Sequence, residues 1–323
     1  MNIPTSTIAH QEYLITFQQL QCLRQLVASG LNVSRTAEAL HTTQPSVSKM
    51  LRALEDEVGM ELFVRGGNRL VALTEAGREA LVLAGRVLED TAALKRLDQG
   101  GGPAAQGTLR VGTTHIHARY SLIEVAKRFF AAYPEVNLQF SVNPPAQIMA
   151  GLVGGAIDIG LCTLPATVPR GVLTLKAYEI DRCLIVPPGH PLLDLPEVAV
   201  EDIGRYPLIT HDESFTSGWV AMHEFQRRGI TPRVLMRAMD ANVIKAYVAA
   251  GMGVAVVQKM AVDPAVDTGL RVIAVDHLFP ASSAMVSLRV DHVLRPFAFD
   301  FIAMVAPEWT REAVAERLKA AAR

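Results

Sequence analysis

The sequence predicts an α/β multidomain chain: a small all-α N-terminal domain ending in a short hairpin, one long connecting helix, and a larger bilobal α/β portion. Three observations carry this. Apolar residues recur at helical spacing in three short segments before residue 60. The run Gly100-Gly101-Gly102-Pro103-Ala104-Ala105-Gln106-Gly107 reads as a flexible hinge and as the clearest domain boundary. Beyond it strand patterns alternate with helical ones, the order from which a parallel sheet is built. At 323 residues the chain exceeds one ordinary core, and roughly 150 residues per domain gives two or three domains.

Thr16 is placed to cap a first helix whose apolar face is Leu20, Leu23, Leu26 and Val27, with Gly30 as its stop. Ser34 starts a second, short and alanine-rich. After the turn His41 to Thr43, Gln44-Pro45 opens a third helix, proline being tolerated in the first turn. That helix buries Val47, Leu51, Leu54 and Val58 and ends at Gly59. Residues 61–73 read as two strands around Gly66-Gly67-Asn68, a wing. Thr74 caps a long helix to about Gln99, with Leu83, Val87, Leu94 and Leu97 at near-heptad spacing and Leu81, Ala84 and Leu88 beside them. So wide a stripe needs cover; a dimer seam is the preferred reading, and packing on its own domain the alternative. Strands follow at LRVGTT, VNLQFSV and AIDIGLCT, with helices at Ser121 to Ala132 and Ala146 to Val153. A second set comprises CLIVPP, PLIT, a helix from Phe215 to Arg228, a strand near Val234, a helix from Ala241 to Ala250, and GVAVV.

Bulk composition excludes classes rather than naming one. Half the residues are hydrophobic and 20% charged, as in a folded chain and unlike a disordered or fibrous one. The net charge of −1 points to no polyanionic partner, and the first 70 residues hold as many acids as bases. Any nucleic-acid argument must therefore rest on placement. Cys22, Cys162 and Cys183 form neither a disulfide framework nor a zinc spacing, which suggests reduced thiols in the cytoplasm. No leader pattern and no apolar run of membrane-spanning length is found, so no membrane partner is expected.

Two short helices joined by a tight polar turn suit insertion of the second into a DNA major groove. That helix carries Ser46, Ser48, Lys49 and Arg52 outward, with Thr43 and Gln44 at its start and Ser34 and Arg35 on the helix before it. Gln44 can pair with an adenine edge, Ser46 and Lys49 can reach bases or phosphates, and Arg52 fits the backbone. Arg65 and Arg69 on the wing would hold the flanking minor groove.

The segment Val33 to Gly77, with its TAEAL, TQPSVS, LEDEVG, LF and LTEAG pieces, closely resembles the N-terminal domain of LysR-type transcriptional regulators. Further on, GTTHIHARY, RYPLIT, RRGITPRV, DANVIKAYVAAGMGVAVV and MAVDP resemble the CysB subgroup, regulators of sulfur assimilation. The resemblance implies a winged helix-turn-helix over 14–73, a linker dimerisation helix over 74–99, a hinge over 100–107 and a periplasmic-binding-protein-like sensor over 108–308. Lobe I would take about 108–180 and 285–308, lobe II about 181–284, and 309–323 would be a C-terminal tail. Implied partners are double-stranded promoter DNA, a small-molecule effector, RNA polymerase and further copies of the chain, as a dimer or tetramer.

Apart from resemblance, hydroxyls and free amides stand at two strand-to-helix junctions, Thr113-Thr114 and Phe215-Thr216-Ser217. A helix N-terminus offers unpaired N–H groups and a positive dipole end, so an anion needs no cation there. By the subgroup's pattern Thr114, Thr163 and Thr216 match ligand-binding threonines. Two positions depart: TTHTQARY becomes TTHIHARY, so Ile116 and His117 replace a Thr and a Gln. Ile removes a donor and adds apolar surface, while His retains one hydrogen bond to give. The expected effector is a small anion, whether sulfate, a sulfonate or an organic acid, with an anion bearing an apolar part preferred. His115 and His117 lack companions for a metal set. Asp240 reads as a helix cap and Asp158 as structural. An enzyme on the doubly wound half is the rival reading, but the nucleotide and nucleophile fingerprints and paired carboxylates are missing. A transport solute-binding protein would need a leader and no DNA-binding domain. No enzyme activity and no cofactor are expected.

Overall fold

Capped helices open the structure, a computed structural model that describes residues 15–67, 69–94 and 106–322. The chain divides between Gly102 and Pro103 into two units. In the first, α1 (Phe17–Ala28) starts from a reciprocal cap: the Thr16 hydroxyl accepts the Gln19 N–H, and Gln19 Oε1 accepts the Thr16 N–H. α2 (Val33–Ala39) is capped by Asn32, not Ser34; its Oδ1 takes the Arg35 N–H at 3.0 Å. α3 (Gln44–Val58) is capped by Thr43 and stops at Gly59, whose φ of 72° any side chain would resist. Cys22, Leu23, Leu26, Val47, Leu51 and Leu54 form the core, with Leu20 and Val27 at its margin. Val58 is exposed instead, because the helix has by then run past the residues it packs on.

The wing pairs β1 (Phe63–Gly66) with β2 (Arg69–Leu73) in antiparallel register. Glu55 ties it to α3: Oε1 accepts the Leu62 and Phe63 N–H groups at 2.9 and 3.2 Å, and Oε2 pairs with Arg65. α4 (Glu75–Leu94) follows, with the Thr74 hydroxyl accepting the Gly77 N–H at 3.0 Å. A Cβ at Gly77 would stand 2.0 Å from the Leu62 carbonyl oxygen, so only glycine lets α4 approach the wing's base this closely. Ala84 and Leu88 are buried and Leu81 is half-buried, whereas Leu83 and Val87 are 50% and 42% exposed. Packing on its own domain thus covers one side of the apolar stripe and leaves the other open. Residues 95–105, including Leu97, Gln99 and most of the expected hinge, lie outside the described residues, as does the Leu94 side chain.

The second unit has two lobes. The first is a five-stranded sheet in the order β4 (Val136–Val142), β3 (Gly107–Thr113), β5 (Ile159–Cys162), β12 (Ser282–Arg289), β6 (Val172–Ile180). β3 runs parallel to β4 and β5, and β12 antiparallel to β5 and β6. α5 (Leu122–Ala132), α6 (Pro145–Val153) and α10 (Pro296–Val305) cover it, with Phe129 edge-on to Phe297 and Phe301 in its core. The second lobe sets β7 (Arg182–Val186) between β10 (Ala255–Gln258) and β11 (Arg271–Ala274), and pairs β8 (Leu208–His211) with β9 (Val234–Ala238). Its helices are α7 (Val200–Ile203), α8 (Thr216–Arg227) and α9 (Ala241–Ala249). Ser282 already pairs with Ile180, so the return crossing falls before 282 and not at 285. The expected tail is also a helix, α11 (Arg311–Ala321): Val314 is fully buried in the first lobe's core, and Trp309 Nε1 donates to the Lys176 carbonyl at 2.7 Å.

Candidate functional site

In the first unit α3 and the wing frame a groove lined by Ser48, Arg52, Arg65 and Arg69 with Val33, Phe63 and Leu70 at its floor. Arg52 and Arg69 are exposed there, while Arg65 is held by Glu55. On the other flank of α3, Ser46 and Lys49 line a second groove with Gln18, Gln21, His41 and Thr42. Gln44 and Lys49 are exposed, as is Arg35 on α2; Ser34 is half-buried and lies in neither groove. The Thr43 and Ser46 hydroxyls meet at 2.9 Å, so these two residues spend part of their bonding on starting α3. Gln18 and Gln21 were not anticipated; their signal, two exposed amides on successive turns of α1, is no stronger than that of any solvated helix face.

In the second unit a cleft opens between the lobes. Thr114, His115, Ile116, His117, Thr163 and Ile180 line one wall. His211, Phe215, Ser217, Met239, Ala241 and Gln258 line the other. The helical stretch 115–132 and α8 both begin at this cleft, and helix geometry leaves their first N–H groups without intrahelical acceptors. No side chain caps α8. The start of α9 also reaches the cleft, but Asp240 already caps it through the Asn242 N–H at 2.9 Å. No Lys or Arg is among the lining residues. The free space is about 20 Å³, room for roughly one water, so any larger guest enters only as side chains or lobes move apart.

The structure separates the expected residues. Thr114, Ile116, His117, Thr163 and Ser217 are brought together. Thr113 is not: it is fully buried and its hydroxyl donates to the Leu161 carbonyl at 2.9 Å. Thr216 donates to the Leu164 carbonyl at 3.1 Å, across the lobes, so its proton is taken and its side chain does not line the cleft. What Thr216 offers the cleft is its backbone N–H at the start of α8.

His117 is 1% exposed, and burial pushes it down to about 4, so the ring is neutral. Its Nδ1 meets Tyr178 Oη at 2.8 Å, and Tyr178 Oη in turn meets Ser121 Oγ at 2.7 Å, so one ring nitrogen is already engaged within the protein and is not available to a ligand.

Several residues of this unit escaped the sequence reading. Tyr120 Oη donates to Asn242 Oδ1 at 2.8 Å and accepts from Lys245, tying lobe to lobe, and Lys245 is itself paired with Asp267 at 2.9 Å. Asp158 is structural as expected: burial works against its charge, but bonds from His292 and the Arg110 N–H prevail and hold the carboxyl below its ordinary range. The three thiols are buried and free, pushed up to about 11 or 12 by burial. Among the described residues no group of three His, Cys, Asp or Glu is placed to hold a metal.

Two family models together span most of the chain. The bacterial regulatory helix-turn-helix protein, lysR family, matches residues 17–78, and the LysR substrate binding domain matches residues 103–310. The chain belongs to the LysR family. The HTH-type transcriptional regulator SsuR of Burkholderia cenocepacia is 38% identical over 307 residues, covering 95% of this chain and 100% of that protein. CysB of the same organism is 34% identical over 305 residues, 94% and 97% of the two chains. The crystal structure of the cofactor-binding domain of the Cbl transcriptional regulator superposes with a TM-score of 0.64 at 28% identity, over 68% of this chain and 97% of that one. This LysR protein is accordingly a CysB-like, DNA-binding transcriptional regulator and not an enzyme. As in the family at large, one domain is for promoter DNA and the other for a small-molecule effector. Among the described residues no helix is long and apolar enough to cross a membrane.

Proposed function

We propose that this regulator binds promoter DNA through α3 and the wing, and that a small anion held between the sensor lobes alters that binding. The observation that carries the reading is the cleft: the hydroxyls of Thr114, Thr163 and Ser217 and two helix N-termini converge there, without a Lys or Arg. Neutral donors and dipole ends of this kind select anions small enough to be enclosed. Ile116 beside the threonines favours an anion with an apolar part, a sulfonate or carboxylate over sulfate. The sulfur link rests on the likeness to SsuR and CysB.

In this reading the protein acts in the cytoplasm as a homo-oligomer, a dimer or tetramer, joined through the open side of α4, and meets RNA polymerase at the promoter. Mapping its genome-wide binding in cells grown on sulfate, sulfonates or cysteine tests the reading. Occupancy at sulfur-acquisition promoters that changes with the sulfur source is expected; occupancy indifferent to sulfur source and changing with carbon source would move the effector to another pathway.

A further inference from the structure

α3 has two flanks, and only one of them faces the wing. An α-helix with its side chains is about 10–12 Å across and the DNA major groove about 12 Å wide, so a helix lying there has one sugar-phosphate strand along each flank. The wing side meets its strand with Arg52 and Arg69. The other side offers one cation, Lys49, and otherwise Gln18 and Gln21 of α1, His41 and Thr42 of the α2–α3 turn, and Ser46. No Asp or Glu lines it, although the first 70 residues hold as many acids as bases. The side chains of Gln18, Gln21 and His41 are exposed and take no hydrogen-bond partner among the described residues. His41 stands at φ 51°, in the left-handed region, where a glycine would sit without strain. Its turn is fixed by the His41 N–H to the Glu38 carbonyl at 3.1 Å and the Thr42 N–H to the Ala37 carbonyl at 2.9 Å. Leu31, the other left-handed non-glycine among the described residues, packs on the domain's core, whereas the exposed His41 ring does not. A strained backbone that carries an exposed ring into a groove points to a use for that ring outside the fold.

We propose that Gln18, Gln21 and His41 receive the sugar-phosphate strand opposite the one held at the wing, beside Lys49. The inference rests on the reading that α3 lies in the major groove. Amides and an imidazole donate to phosphate oxygens without adding cations, so this flank supplies affinity and register with little salt dependence. The wing flank then carries most of the counterion release.

Fluorescence anisotropy of the full chain over a series of KCl concentrations tests this, with a duplex that the parent protein selects from a randomised library and a mixed-sequence duplex of equal length. Gln18→Ala combined with Gln21→Ala is expected to weaken binding to both duplexes about tenfold with the salt slope unchanged, since no charge is lost. Gln21→Lys is expected to steepen the slope of log K against log[KCl] by about 0.9 for each bound copy. Ala28→Lys, the same charge on an exposed position of α1 outside the groove, should steepen it by clearly less. His41→Gly eases the turn while removing the ring, so urea stability equal to or above the parent's is expected together with DNA affinity lowered about threefold or more. A double alanine variant that binds like the parent, with equal slopes for Gln21→Lys and Ala28→Lys, would overturn the proposal. Arg52→Ala then separates the two readings. Weakened binding in that variant leaves α3 in the groove and only the second flank wrong, whereas unchanged binding there too takes α3 off the DNA and the proposal with it.

Discussion

Residues of one type do different work within the groove between α3 and the wing. Arg52 is exposed in the groove beside the wing, while Arg65, in the same groove, is held by Glu55. Glu55 also accepts two backbone N–H groups, so its loss unpairs the wing from the helix. Glu55→Ala should therefore lower the unfolding free energy of the first unit by about 1–3 kcal/mol, read by urea denaturation. Arg52→Ala should leave that stability unchanged and weaken binding to all DNA sequences evenly, whereas Gln44→Ala should alter base preference by about 1–3 kcal/mol. Footprints identical to the parent's in both variants would take α3 out of the groove. From sequence, Glu55, Asp56 and Glu57 look like one solvated acidic run; that Glu55 turns inward depends on the wing folding back, which spacing does not reveal. The same limit applies in the cleft. Thr113, Thr114 and Thr216 are legible as hydroxyls at strand-to-helix junctions, but spacing does not show that Thr113, the last residue of β3, turns to the Leu161 carbonyl while Thr114, just beyond the strand, lines the cleft.

At the scale of elements, capped helices and strands flanked by turns were readable because their signals are local. Thr16, Thr74, Gly59 and Asp240 act where their chemistry puts them. β6, β11 and β12 are not legible in the sequence pattern, and β12 is the strand that returns the chain to the first lobe across a gap of more than 100 residues, a pairing no local window contains. α11 carries mostly polar residues and reads as a tail; a single deeply buried Val314 and the anchoring Trp309 dock it. α4 shows how a stripe can be read correctly and still be ambiguous. Ala84 and Leu88 are covered by the chain itself and Leu83 and Val87 are not. Asp at both Leu83 and Val87 should thus dissociate the oligomer with the first unit still folded, since neither side chain is in its core. Light scattering that returns an unchanged mass would place the interface elsewhere.

Across the whole molecule, two histidines buried as neutral rings make the sensor sensitive to acid. Both His117 and His211 sit near 4 in the folded chain against 6.5 when unfolded, burial being the main cause in each. Because the folded values are lower, protons bind the unfolded chain first. Stability is full above about 6.5, falls as the pH drops below it, and levels off near 4. At roughly 1.4 kcal/mol per pH unit for each group, the move from pH 7 to pH 5 should cost about 2 kcal/mol per histidine. His117→Gln should reduce that loss by about half; urea unfolding at the two pH values with an unchanged difference would show that the ring is not buried neutral.

Whether neutral donors between the lobes hold an anion is tested most directly by calorimetric titration of sulfate and ethanesulfonate into the full chain and into Thr114→Val, which removes one donor and keeps the side chain's shape. Saturable binding at one site per chain is expected, ethanesulfonate tighter than sulfate, with both weakened about tenfold or more in the variant. Heats that never saturate, or affinities that Thr114→Val leaves untouched, would contradict it.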